Sequence, residues 1–184
     1  APLECTRLTV NRAIRQPAHA GIIDRKRKGG IRVSISPIRK ALFDIPIIRK
    51  EIENKGNKYS FEILSEKKTR LNKIDGLSVE TIHESNDVPY AFEQRWVSLK
   101  IAFGLKKLDL KTISINEWLV ANIPISTGTI SFCAESASDK ERKLFNISSN
   151  NALLIVNRET FITEDLVTKV RLSYPPGHKI KTIL

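Results

Sequence analysis

The sequence has little of what marks several large protein classes. Its 184 residues include two cysteines, Cys5 and Cys133, with no Cys-x-x-Cys spacing, and three histidines. That excludes a disulfide framework and offers no zinc-ligand pattern. No apolar run approaches the roughly 20 residues that cross a bilayer, and Ala1-Pro-Leu-Glu-Cys5 lacks the charged and apolar regions of a secretory signal. The expectation is a cytoplasmic protein with no metal, cofactor or membrane partner. The hydrophobic fraction of 41% suffices for a buried core, which excludes general disorder, and the length suits one ordinary domain or two small ones.

Acidic residues are also scarce, 20 against 31 basic ones, for a net charge of +11. The imbalance is local. Residues 1–40 hold ten basic and two acidic residues, a net of +8, and the rest hold 21 and 18, a net of +3. An excess of this kind points to a polyanion as partner, and its confinement to one end implies two modules.

In the basic module, residues 6–16 have the spacing of a helix. Thr6 can cap it, and Val10, Ala13 and Ile14 recur on one face. Arg7, Asn11, Arg12 and Arg15 fall largely off that face, beside Thr9. Two short β-prone runs, near Ile22-Ile23 and Ile31-Val33, then flank a basic turn, Arg25-Lys-Arg-Lys28, followed by Gly29-Gly30 and Arg32. Helix plus basic hairpin is the outline of a recognition helix and wing, in which the helix meets base edges and the hairpin neutralises phosphates. The same residues also suit a solvated amphipathic helix and an ordinary charged hairpin.

The segment Thr6-Arg-Leu-Thr-Val-Asn-Arg-Ala-Ile14, then Gly21-Ile-Ile23, then Gly29-Gly-Ile-Arg-Val33, resembles the second half of the winged helix-turn-helix of GntR-type bacterial repressors. A complete domain of that family carries further helices ahead of the recognition helix, whereas only residues 1–5 precede it here. The resemblance therefore implies an amino-terminally incomplete winged helix over residues 1–34. Its DNA-binding residues would be Thr6, Arg7, Thr9, Asn11, Arg12, Arg15, Arg25, Lys26, Arg27, Lys28, Gly29, Gly30 and Arg32.

Residues 35–43 contain Pro37 and no sustained period, and serve as a linker. Residues 44–56 predict a helix capped by Asp44, with Pro46 in its first turn, a stripe of Ile45, Ile48 and Ile52, and Gly56 at its end. A strand is expected around 59–67. Residues 77–83 and 88–98 flank Glu84-Ser-Asn-Asp87 as a hairpin. In its second arm Tyr90, Phe92, Gln94 and Trp96 share one face, and Ala91, Glu93, Arg95 and Val97 the other. An acid and a base two residues apart on one face can line a polar pocket or form a surface salt bridge. A short helix at 116–122, a strand at 127–134, a helix at 138–145 with a Ser138/Glu141 capping box, a hairpin of 152–161 with 167–174, and a last strand after Gly177 complete an antiparallel α+β domain. His19, His83 and His178 have no Ser, Cys or carboxylate partner in a recognisable catalytic motif, so no residue is assigned to catalysis.

The order Asp87-Val-Pro-Tyr90, Glu93-Gln-Arg-Trp-Val97, Ile115-Asn-Glu-Trp-Leu119, Leu153-Leu-Ile-Val-Asn-Arg158 and Pro176-Gly-His-Lys179 resembles the UTRA effector domain that follows the winged helix in one GntR subfamily. Within it, these motifs look most like the histidine utilization branch. The resemblance implies a chorismate-lyase-like fold over residues 44–184, a homodimer on a palindromic double-stranded DNA operator, and a small effector, urocanate for that branch. A planar carboxylate of this kind wants Arg for pairing, a polar partner for its imidazole and aromatic walls. Arg95 is the expected carboxylate partner, with Tyr90, Glu93, Thr168 and Tyr174 around it. Trp96 and Trp118 are assigned to the core, and Arg158 suits a structural or a ligand-facing role equally. Two alternatives stand beside a repressor: a truncated regulator that binds effector but not DNA, and a small-molecule lyase on the same fold.

Overall fold

A computed structural model describes residues 23–26, 30–33, 47–124, 127–148 and 150–180. The expected recognition helix, the tip of the basic turn, the linker and Asp44 lie outside these residues. Within the basic module, β1 (Ile23–Lys26) and β2 (Gly30–Val33) pair antiparallel, with Arg25 opposite Ile31 and Lys26 opposite Gly30. Residues 47–180 belong to a separate unit.

That unit contains α1 (Ile48–Glu53), β3 (Tyr59–Leu71), β4 (Ile74–Ser85), β5 (Val88–Ser98), a 3-10 turn (Phe103–Lys107), α2 (Ile115–Asn122), β6 (Thr127–Ser136), α3 (Asp139–Phe145), β7 (Ala152–Ile162) and β8 (Asp165–Tyr174). Its six strands form one antiparallel sheet in the order β3-β4-β5-β8-β7-β6. The helix expected over 44–56 is shorter than its pattern, and the chain beyond Gly177 is not a strand through residue 180. The hairpin turns follow from backbone chemistry. Asn86 and Asp87 take φ of 52° and 61°, and Asn72 and Lys73 take 50° and 66°, the left-handed pairs that match the twist of two-residue hairpins. The Asn72-Lys73 turn joins β3 to β4 into a longer hairpin than the apolar pattern alone implied.

Because side chains alternate along each strand, the sheet has two distinct faces. On one, α1 packs Ile48 and Ile52 against Ala91, Val156, Val170 and Leu172, while the 3-10 turn and α2 pack Leu105, Ile115 and Leu119 against Leu77, Val79 and Val97. On the other, α3 places Phe145 against Ile82, Phe92, Leu153 and Ile155. The Ser138/Glu141 capping box is present. Glu141 is also buried, and it accepts hydrogen bonds from Arg171 Nη1 at 2.7 Å and Ser173 Oγ at 2.5 Å, which ties α3 to β8.

Candidate effector site

The two apolar clusters under α1 and α2 are separated by a polar seam on the same sheet face. Its centre is β5. Glu93 and Arg95, two residues apart, point to that face together, opposite Thr81 and Val79 of β4 and Leu172 and Val170 of β8. Both are buried. Arg95 donates to Glu93 through Nε–Oε1 at 2.6 Å and Nη2–Oε2 at 3.0 Å, and further to Thr168 Oγ1 at 3.4 Å and Asn116 Oδ1 at 3.2 Å. This bidentate fork is the strongest geometry a carboxylate and a guanidinium can adopt. Burial works to raise the Glu93 carboxyl, but the Arg95 charge and hydrogen bonds, with His83 close by, hold it well below the ordinary carboxylate range.

Beside this pair, His83 presents Nε2 at 3.7 Å from Glu93 Oε2, while its Nδ1 lies 2.9 Å from Tyr59 Oη. The Tyr59 and His83 rings stack with centroids 5.9 Å apart, and Phe61 closes the edge. His83 Nε2 has no hydrogen-bond partner although it is buried. Tyr59, Phe61, Thr81, His83, Glu93 and the segment before α2 line a cavity of about 10 Å³, which at most one water molecule would fill.

On the far side of the pair, Arg158 of β7 lies opposite Val170, in the same cross-sheet row as Arg95. It donates to Asn116 Oδ1 through Nη2, its Nε is buried without a partner, and among the described residues it forms no ion pair. Burial and the neighbouring Arg95 charge lower its pKa to about 10. Asn116 thus offers one carbonyl to two guanidiniums. It is set by α2, whose N-cap Ser114 accepts from Glu117 N–H, and the adjacent Glu117 accepts from Arg49 Nε of α1 at 2.9 Å.

Of the residues expected at the site, Glu93, Arg95 and Thr168 come together. Tyr90 and Tyr174 form a second group with His178: the Tyr174 and His178 rings stack at 4.0 Å, Tyr90 meets both edge-on, and its hydroxyl donates to Glu51 of α1. Sequence reasoning missed Tyr59, His83 and Asn116. For His83 the signal was its strand parity, since it sits opposite Ala91 on the face of Glu93; for Asn116 it was a polar side chain in the first turn of a helix whose stripe is Ile115 and Leu119. Trp96 is buried, as assigned, and Trp118 is partly buried against the α2 cluster. Among the described residues there is no cluster of metal-ligating side chains and no helix long and apolar enough to cross a membrane.

A family profile described as the UTRA domain matches residues 71–181. The histidine utilization repressor of Pseudomonas putida is 28% identical over 92% of this chain and 73% of its own. The sheet resembles the C-terminal domain of the histidine utilization repressor from Pseudomonas syringae pv. tomato, with a TM-score of 0.63 at 21% identity over 69% of this chain and 99% of that one. PhnF from Mycobacterium smegmatis superposes with a TM-score of 0.65 at 13% identity, over 94% of this chain and 82% of its own. At these identities the solved structures speak for the fold.

Proposed function

The chain belongs to the UTRA-domain family, and from that premise we propose that it is a transcription repressor of histidine utilization genes, released from its operator by urocanate. The relatives that span most of the chain carry repressor names, which supports regulation rather than catalysis. In this reading residues 1–34 contact a palindromic double-stranded operator through the basic helix and hairpin, residues 35–43 link, and residues 44–184 bind the effector and form the cytoplasmic homodimer.

The observation that carries the effector reading is the polar seam, buried His83, Glu93 and Arg95 with half-buried Arg158 beside them, between two apolar clusters. It has the chemistry for a short, flat molecule with an acid at one end and an imidazole at the other. Glu93 and His83 suit imidazole nitrogens, Tyr59 and Phe61 supply ring surface, and the guanidiniums suit a carboxylate. A cavity of about 10 Å³ is too small for urocanate, so in this reading urocanate enters only when the segment before α2 yields. A ligand that prefers such an opened form shifts the protein towards it, and DNA is released to the extent that the opened form binds operator less well.

The test is operator binding by fluorescence anisotropy at fixed low salt, with and without urocanate. The expected result is salt-dependent binding that urocanate weakens and that Arg7→Ala or Arg12→Ala reduces. Urocanate binding in calorimetry without operator binding at low salt would favour a regulator that has lost its DNA contact.

A further inference from the structure

We infer that Arg158 is the anion anchor of this site: Asn116 Oδ1 holds its guanidinium in the empty state, and an effector's carboxylate takes the place of Asn116. The inference rests on the reading of the polar seam as an effector site, and it names the ligand class that the site selects, a small planar carboxylate.

Two guanidiniums compete for charge in the seam, and they are not equivalent. Arg95 is fully committed. Both Glu93 oxygens, Thr168 and Asn116 take its hydrogen bonds, so a ligand carboxylate would reach it only by displacing a buried carboxylate already paired in a fork. Arg158 has only the neutral amide oxygen that it shares with Arg95, and its Nε points at nothing. Around Asn116 the count is therefore two positive groups against one carboxylate, a surplus of one positive charge on a half-buried side chain whose Nε is shut off from water. Drawing such a charge out of water is unfavourable unless an opposite charge is supplied. A monoanionic ligand supplies that charge.

Asn116 fits the role of placeholder. Its carbonyl satisfies one donor of each guanidinium without neutralising either. It sits in the first turn of α2, beside the segment that closes the small cavity. A carboxylate arriving at Arg158 would offer two oxygens and a full charge where the amide offers one oxygen and a dipole, so the exchange favours the ligand and frees the start of α2.

The test is calorimetric titration of the full chain with urocanate, with its neutral methyl ester, and with cinnamate as a planar acid lacking the imidazole. Wild type should bind the acid, and Arg158→Gln should bind it at least about tenfold more weakly, with Arg158→Lys in between. The ester should bind wild type and Arg158→Gln alike, since it has no charge to pair. Asn116→Ala should bind the acid no more weakly than wild type. Unfolding midpoints and near-UV circular dichroism on the same samples separate a lost contact from a lost fold. Equal binding of the acid by wild type and Arg158→Gln would overturn the anchor and leave the effector reading standing. Arg158-dependent binding of cinnamate without urocanate binding would sustain the anchor and remove urocanate. Binding of neither acid to wild type would overturn both.

Discussion

Glu93 and Arg95 form a two-point ion pair although they are only two residues apart on one strand, and both are buried. Such a pair contributes little to stability relative to apolar residues of the same shape, but breaking it from one side leaves a bare buried charge. Arg95→Ala should therefore destabilise the domain by about 3–5 kcal/mol, read from urea unfolding midpoints. Arg95→Lys should be intermediate, because it keeps the charge and loses the fork. A change below about 1 kcal/mol in Arg95→Ala would mean that Glu93 finds another partner, with His83, 3.7 Å away, and Arg158 the candidates.

Acid stability should depend on two carboxyls on opposite faces. Burial opposes ionisation of Glu93, and Arg95 and His83 overcome it, holding its folded value far below 4.5. Burial also opposes ionisation of Glu141, and Ser138, Ser173 and Arg171 bring it to about 2. A carboxyl depressed in the folded state adds stability that is fully present above its unfolded value and is lost as pH falls through the folded one. The wild-type unfolding midpoint should thus fall steadily from about pH 5 towards pH 2. Glu141→Gln should be less stable than wild type at pH 7 and approach it near pH 2. A gap independent of pH would show that the carboxyl's charge contributes nothing.

Gly76 lies across the β4–β5 pair from Ser98, and a Cβ at this position would stand 2.2 Å from Trp96 Nε1 and 2.3 Å from its Cε2. The indole occupies the volume a side chain would need. Gly76→Ala should cost about 1–3 kcal/mol by overpacking and should shift Trp96 fluorescence, since the ring must turn or move. An unchanged spectrum and midpoint would show that the strand pair yields instead.

Much of this architecture was legible because it depends on local chemistry. Asn86-Asp87 can take the left-handed pair a tight hairpin needs, Ser138 and Glu141 cap reciprocally, and the alternation of β5 puts Glu93 and Arg95 on one face. The choice between a buried pocket and a solvated salt bridge was not legible, since it depends on what covers that face. The cover comes from α1 and α2, distant in sequence, and only the paired register of β7 and β8 brings Arg158 into the row of Arg95. The length of β4 was hidden for a related reason: its extra residues, from Ile74 to Gly76, pair with β3 and with Ser98 rather than follow an apolar period. The acid–base pair was visible one strand at a time, whereas the excess cation needed the whole sheet.

The contact between Arg49 and Glu117 joins α1 to α2 at 2.9 Å, with each side chain about a third exposed. A pair so placed contributes roughly 0–1 kcal/mol to stability, yet it connects two points that matter to release. Glu117 follows Asn116, the residue an effector's carboxylate would displace, and among the described residues α1 is the element that follows β2 in the chain. If the start of α2 moves when ligand binds, this pair is the link through which α1 would feel it. Glu117→Gln should then leave the midpoint within about 1 kcal/mol of wild type and leave urocanate affinity in the absence of DNA unchanged, but shrink the weakening of operator binding by urocanate. Linkage supplies an internal check, because effector and operator must weaken each other by the same factor, typically about 5- to 150-fold. In wild type, urocanate should bind more weakly when operator is present; in Glu117→Gln the two affinities should converge. Full operator release by urocanate in Glu117→Gln would show that the signal leaves the effector site by another route, with the Tyr90–Glu51 contact on α1 the next to test.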